Sequence, residues 1–111
     1  MKHQISLQQA VEMTKAFRQN QPQGMPLCET FNREAIDRLR ATPGCTQIRI
    51  YYGIKEARDI SAILVAADAE DRDLLPALTG TFNPADEEEP IIVDDSFRCP
   101  PHCPPSSPLN T

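Results

Sequence analysis

Glycine is scarce, at four residues in 111, and none sits in a clustered, phosphate-cradling loop. Basic runs are missing as well. The eleven Lys and Arg residues are scattered along a chain of net charge −5, whereas a nucleic-acid or anionic-membrane surface needs them clustered. No stretch is long and apolar enough to cross a bilayer, and residues 1–10 lack the apolar core of a secretory signal. These deficits set the expectation of a cytoplasmic protein with no nucleic-acid partner and no membrane partner. In that compartment Cys28, Cys45, Cys99 and Cys103 stay reduced by default. There are no paired Cys-x-x-Cys knuckles, no Cys-x-x-Cys-His haem pattern and no internal repeat. Spacing alone assembles no Ser/His/Asp or Cys/His catalytic set.

What is present is enough chain for one hydrophobic core. Eleven prolines are many, but five of them fall between Pro100 and Pro108. The excess therefore belongs to a tail, and the division expected is a single α+β domain over 1–97 followed by a proline- and cysteine-containing tail over 98–111.

Helical signals open the chain. Ser6 and Gln9 form a Ser-x-x-Gln capping box, Ile5 and Ala10 can staple across it, and Leu7, Ala10, Val11, Thr14 and Phe17 recur at helical spacing. A helix over 7–19 is expected, ended by Pro22 and Gly24. A second helix starts at Asn32 as the capping residue, turns Ala35, Ile36 and Leu39 inward, and stops at Thr42-Pro43-Gly44. Ile48, Ile50 and Tyr52 alternate with Gln47, Arg49 and Tyr51 as in a strand, and Ile60 to Ala67 is a continuous apolar run suited to a strand buried on both faces. The short polar link between them favours an antiparallel hairpin. Asp68 to Asp73 reads as an acidic turn, Leu74 to Leu78 as a helical turn limited by Pro76, Asp86 to Glu89 as a surface loop, and Ile91 to Val93 as a third strand. The architecture expected is α+β, with two N-terminal helices packed on a small antiparallel sheet.

Pro43-Gly44-Cys45-Thr46-Gln47-Ile48-Arg49-Ile50-Tyr51-Tyr52-Gly53, together with Cys99-Pro100-Pro101-His102-Cys103, resembles a family of small uncharacterised bacterial proteins. The resemblance covers most of the chain. It implies the same layout of two helices, an Ile-Arg-Ile-Tyr-Tyr-Gly strand, a hairpin and a terminal Cys-Pro-Pro-x-Cys. It also implies a variable residue at the place of His102, and it implies no activity.

The tail is the chemically distinctive part. A residue before proline is driven to extended conformations and proline fixes its own φ, so the freedom that remains sits at Pro101 and His102. A turn centred there would bring Cys99 and Cys103 together, whereas a polyproline rod would hold their α-carbons roughly 12 Å apart. Four readings compete. The leading one is a structural tail of small buried thiols and stiff prolines. A disulfide between Cys99 and Cys103, or from Cys45 to the tail, is the second. The third is a zinc site in which Cys99, His102 and Cys103 are completed by Cys28 or Cys45. The last is capture of the Pro-x-x-Pro segments by a protein partner.

Asp68, Glu70, Asp71 and Asp73 lack the glycine and distal Glu of a calcium loop and read as a solvated turn. Arg49 and Tyr51 are of the residue types enriched at interfaces, against the plainer reading in which Arg49 covers apolar surface with its stem. The functional expectation is a non-catalytic binding or interaction protein without a cofactor, acting through an unknown protein partner or self-association. Zinc or thiol-redox chemistry at the terminal cysteines is the alternative.

Overall fold

A computed structural model describes residues 1–77 and 89–111. Among the described residues, two helices and two antiparallel sheets make an α+β fold. Helix α1 spans Leu7–Gln19, and its capping box is formed in both directions, Ser6 Oγ accepting from the Gln9 N–H and Gln9 Oε1 from the Ser6 N–H. Helix α2 spans Arg33–Arg40. Asn32 holds its capping position with extended backbone, but its side chain makes no capping hydrogen bond, so that helix depends on packing rather than on its cap.

Strands β2 (Gln47–Ile54) and β3 (Ile60–Ala67) form the hairpin, in a register running from Gln47 opposite Ala67 to Ile54 opposite Ile60. A short 3-10 turn at Glu56–Arg58 lies in the connection. On the far side of β3, two short strands lie end to end. β4 (Asp73–Leu74) pairs with Ala66 and Ala67, and β5 (Ile92–Val93) pairs with Leu64 and Val65. Leu74 is thus extended instead of opening a helical turn, because its N–H and C=O find the β3 ladder. Leu78 and residues 86–88 of the expected acidic loop lie outside the described residues.

The second sheet is a ribbon of β1 (Cys28–Thr30) and β6 (Phe97–Cys99), with Cys28 opposite Cys99. β6 spans the boundary expected at 97/98, so the start of the tail belongs to a sheet.

The core is small. Even-numbered residues of β3 point to the side covered by α2, where Leu39, Ala62, Leu64, Ala66 and Val93 pack together with Phe31, Ala35 and Ile36 against them. Register places Tyr52 on this same face, opposite Ala62, and Tyr51 on the other. α2 covers only part of the face. Ile50 and Tyr52, toward the edge strand, remain half or more exposed, and α1 has no buried residue.

Where Ile60 to Ala62 of β3 lack a strand neighbour on the β5 side, other groups replace one. Gly24 O accepts from the Ile60 N–H (2.8 Å), Arg98 donates to the Ile60 carbonyl (2.8 Å), and Glu29 Oε1 accepts from the Ala62 N–H (3.2 Å). These bonds seat the β1–β6 ribbon beside the main sheet.

Candidate functional site

The uncovered part of the sheet face becomes the floor of a cleft of about 900 Å³. Ile50, Tyr52 and Leu64 form that floor, while α1 contributes Met13 and Phe17 as one wall. Met25 and Leu27 lead into the β1–β6 ribbon, and Pro104 and Leu109 of the tail close the remaining side. The lining is mainly apolar, and its two charged residues are already occupied within the chain. Arg18 donates to the Leu109 and Thr111 carbonyls (2.7 and 3.1 Å), which ties α1 to the tail. Glu29 accepts from the Ala62 N–H and from Ser96 Oγ (2.9 Å).

Cys99 and Cys103 are joined by a disulfide, with S–S at 1.90 Å and α-carbons 4.5 Å apart. The chain between them reverses through cis bonds at Cys99–Pro100 and Pro100–Pro101, and the His102 N–H donates to the Arg98 carbonyl (2.7 Å). The imidazole of His102 stands edge-on to Phe97, with centroids 5.8 Å apart. In the bridged form neither tail sulfur is a thiolate that zinc could take. Among the described residues, no three or more His, Cys, Asp or Glu side chains gather as a metal site. Cys28 and Cys45 are free thiols. Cys28 is the cross-strand neighbour of Cys99, whereas Cys45 sits ahead of β2 with its Sγ donating to the Gln47 carbonyl (3.4 Å).

Arg49 and Tyr51 lie on the sheet face opposite α2 and are bound to their own chain. Arg49 pairs with Asp71 and with Asp73 (2.5 Å), and Tyr51 Oη donates to Asp73 (2.5 Å). Arg72 bonds to Asp68 (3.1 Å) and to Glu70, so all four acidic side chains of the turn face an arginine. The Tyr51 hydroxyl and the Arg49 guanidinium hold the Asp73 carboxyl below the usual carboxylate range. The same hydrogen bond, with burial, pushes Tyr51 upward.

A carboxyl lowered in the folded state binds its proton more readily in the unfolded one. Its contribution to stability is therefore complete above the unfolded value of about 4 and is lost as pH falls through the folded value. Asp73→Asn removes that dependence. The stability gap between parent and variant, read from urea melts, should hold level from neutral pH down to about 5 and then narrow as pH falls through the folded value. A gap that stays constant would mean that the carboxylate contributes nothing in the folded state.

Sequence patterning could not display the cleft, because its walls come from four segments far apart in the chain. The apolar stripe of α1 was the visible signal, and it pointed to something α1 should cover. Among the described residues no helix is long and apolar enough to cross a membrane. Comparison with known proteins finds no matching family model, no matching curated protein and no matching solved structure.

Proposed function

We propose that this is a non-catalytic binding protein whose site is the apolar cleft, and that its ligand is a small, uncharged, largely apolar molecule. One observation carries the reading: a concavity of about 900 Å³ whose charged lining residues, Arg18 and Glu29, already have their partners inside the chain. Small-molecule sites fall in the range of roughly 300–1,000 Å³ and are mostly apolar with few polar groups. A charged ligand would have to break the Arg18 or Glu29 bonds or go unpaired, which is costly away from water. On this reading α1 completes its packing on the sheet through the bound molecule, and the proline-rich tail lies over the sheet as the third wall.

Nile red, neutral and solvent-sensitive, tests it. Emission should rise and saturate on titration with the protein. A Met13→Asp, Tyr52→Ser double variant changes two exposed cleft residues, so its melting temperature should stay close to the parent's. Its affinity for the dye should fall about tenfold or more, equivalent to roughly 1.4 kcal/mol. Equal affinity in the two proteins, or no saturable signal in the parent, would remove the proposal.

A further inference from the structure

Three of the four cysteines meet at one place, and only two of them are bonded. Cys28 is directly opposite Cys99 in the β1–β6 ribbon, is a free thiol and is partly exposed. Cys99 is almost fully buried and bridged to Cys103, which is exposed. Cross-strand partners point to the same face, and Cys28 and Cys99 both line the cleft. The Leu27 N–H donates to the Cys99 carbonyl (2.9 Å), which holds the two strands together at this point.

We infer that Cys28, Cys99 and Cys103 form an intramolecular thiol–disulfide exchange site, with Cys28 as the attacking thiol and Cys103 as the leaving one. Directly opposed residues on paired strands have β-carbons about 4.5–5.5 Å apart, and a disulfide needs about 3.5–4.5 Å. A shift on the order of 1 Å therefore suffices. The Cys28 thiolate gives its electron pair to Cys99 Sγ. A Cys28–Cys99 bond forms, the Cys99–Cys103 bond breaks, and the pair leaves on Cys103 Sγ. Cys103 then takes a proton from water in place of the one that Cys28 released. Nothing is oxidised or reduced overall. Attack at Cys99 puts the departing thiolate on the exposed residue, where water solvates it. The new bridge would also close a far longer loop than the five-residue one it replaces, and longer loops constrain the unfolded chain more.

After exchange the tail beyond Cys99 is no longer fastened at Cys103, and a surface thiol flanked by His102 and Pro104 becomes available to disulfide or thiol reagents.

A Cys45→Ser protein carries one thiol per chain, so the test is where that thiol resides. After incubation without reductant at about pH 8.5, where thiolate is plentiful, thiols are trapped with N-ethylmaleimide and the unreduced digest is mapped by mass spectrometry. Label should divide between Cys28 and Cys103, with about one tenth or more on Cys103. A Cys28–Cys99 peptide pair should accompany it at a rate independent of protein concentration. Cys28→Ser in the same background should leave Cys103 unlabelled. Label confined to Cys28, a rate proportional to protein concentration, or labelling of Cys103 in the Cys28→Ser protein would each overturn the inference.

Discussion

Leu39→Ala should lower the unfolding free energy by about 3–4 kcal/mol, the middle of the range for truncating a buried leucine. Among the described residues Leu39 is the largest hydrophobic side chain with no exposed surface, and it is the one buried residue of α2. Its neighbours on β3 are Ala62, Leu64 and Ala66. Alanines on a strand hydrogen-bonded along both edges cannot reach into the space that a lost isobutyl group leaves, so the cavity would stay largely open. The gain in helix propensity from alanine offsets only a few tenths of a kcal/mol. Thermal unfolding should shift down by roughly 10–20 °C for a domain of this size. Leu39→Met, which nearly conserves volume, should cost less than about 1.5 kcal/mol. Should the two variants melt together, Leu39 would not be the plug between α2 and the sheet.

Leu39 was readable in the sequence because it shares helical spacing with Ala35 and Ile36, and the continuous run Ile60–Ala67 marked the strand that receives it. The capping box at Ser6 was readable for the same reason, since both partners lie within one turn. The strands β1, β4 and β6 were not. Each is two or three residues long, too short for a period of two to register, and what makes them strands is a distant partner. Asn32 shows the opposite error: the residue type suits a cap, but its side chain does not take the bond. The tail occupied both positions. Proline stiffness near Cys99 and Cys103 is a local property that spacing reveals, whereas Cys28 facing Cys99 depends on a pairing across some seventy residues. The cleft was hidden by the same distance. Its floor residues Ile50 and Tyr52 look like ordinary inward strand positions until α2 is seen to stop short of them and leave both exposed.

The residue least visible in the sequence should have the largest polar effect. Arg98 is an isolated cation at the start of the tail, yet its guanidinium joins three segments. One terminal nitrogen donates to the Gly24 carbonyl (3.1 Å) and the Ile60 carbonyl (2.8 Å), and the other lies 3.4 Å from Asp59. The Gly24 carbonyl also accepts from the Ile60 N–H, so the clamp holds a loop already seated on the start of β3. That loop fits only as glycine, since Gly24 has φ +81° and a β-carbon there would come within 2.3 Å of the Arg58 carbonyl oxygen. Arg98→Met keeps most of the apolar stem and removes every donor. Two partly buried carbonyls lose a charged partner, and each such bond is worth about 1.5–3 kcal/mol when made. Because water can reach part of the site, the expected loss is about 2–4 kcal/mol. Arg98→Lys should recover only part of it, because a single ammonium cannot reproduce the planar fork. Hydrogen exchange distinguishes a clamp from a general weakening. The Ile60 and Ala62 amides, which bond to Gly24 and Glu29 in place of a strand, should lose protection in Arg98→Met well before amides in the middle of the β2–β3 ladder. Uniform loss across the sheet, or a melting temperature equal to the parent's, would show that the ribbon is held beside the sheet by other contacts.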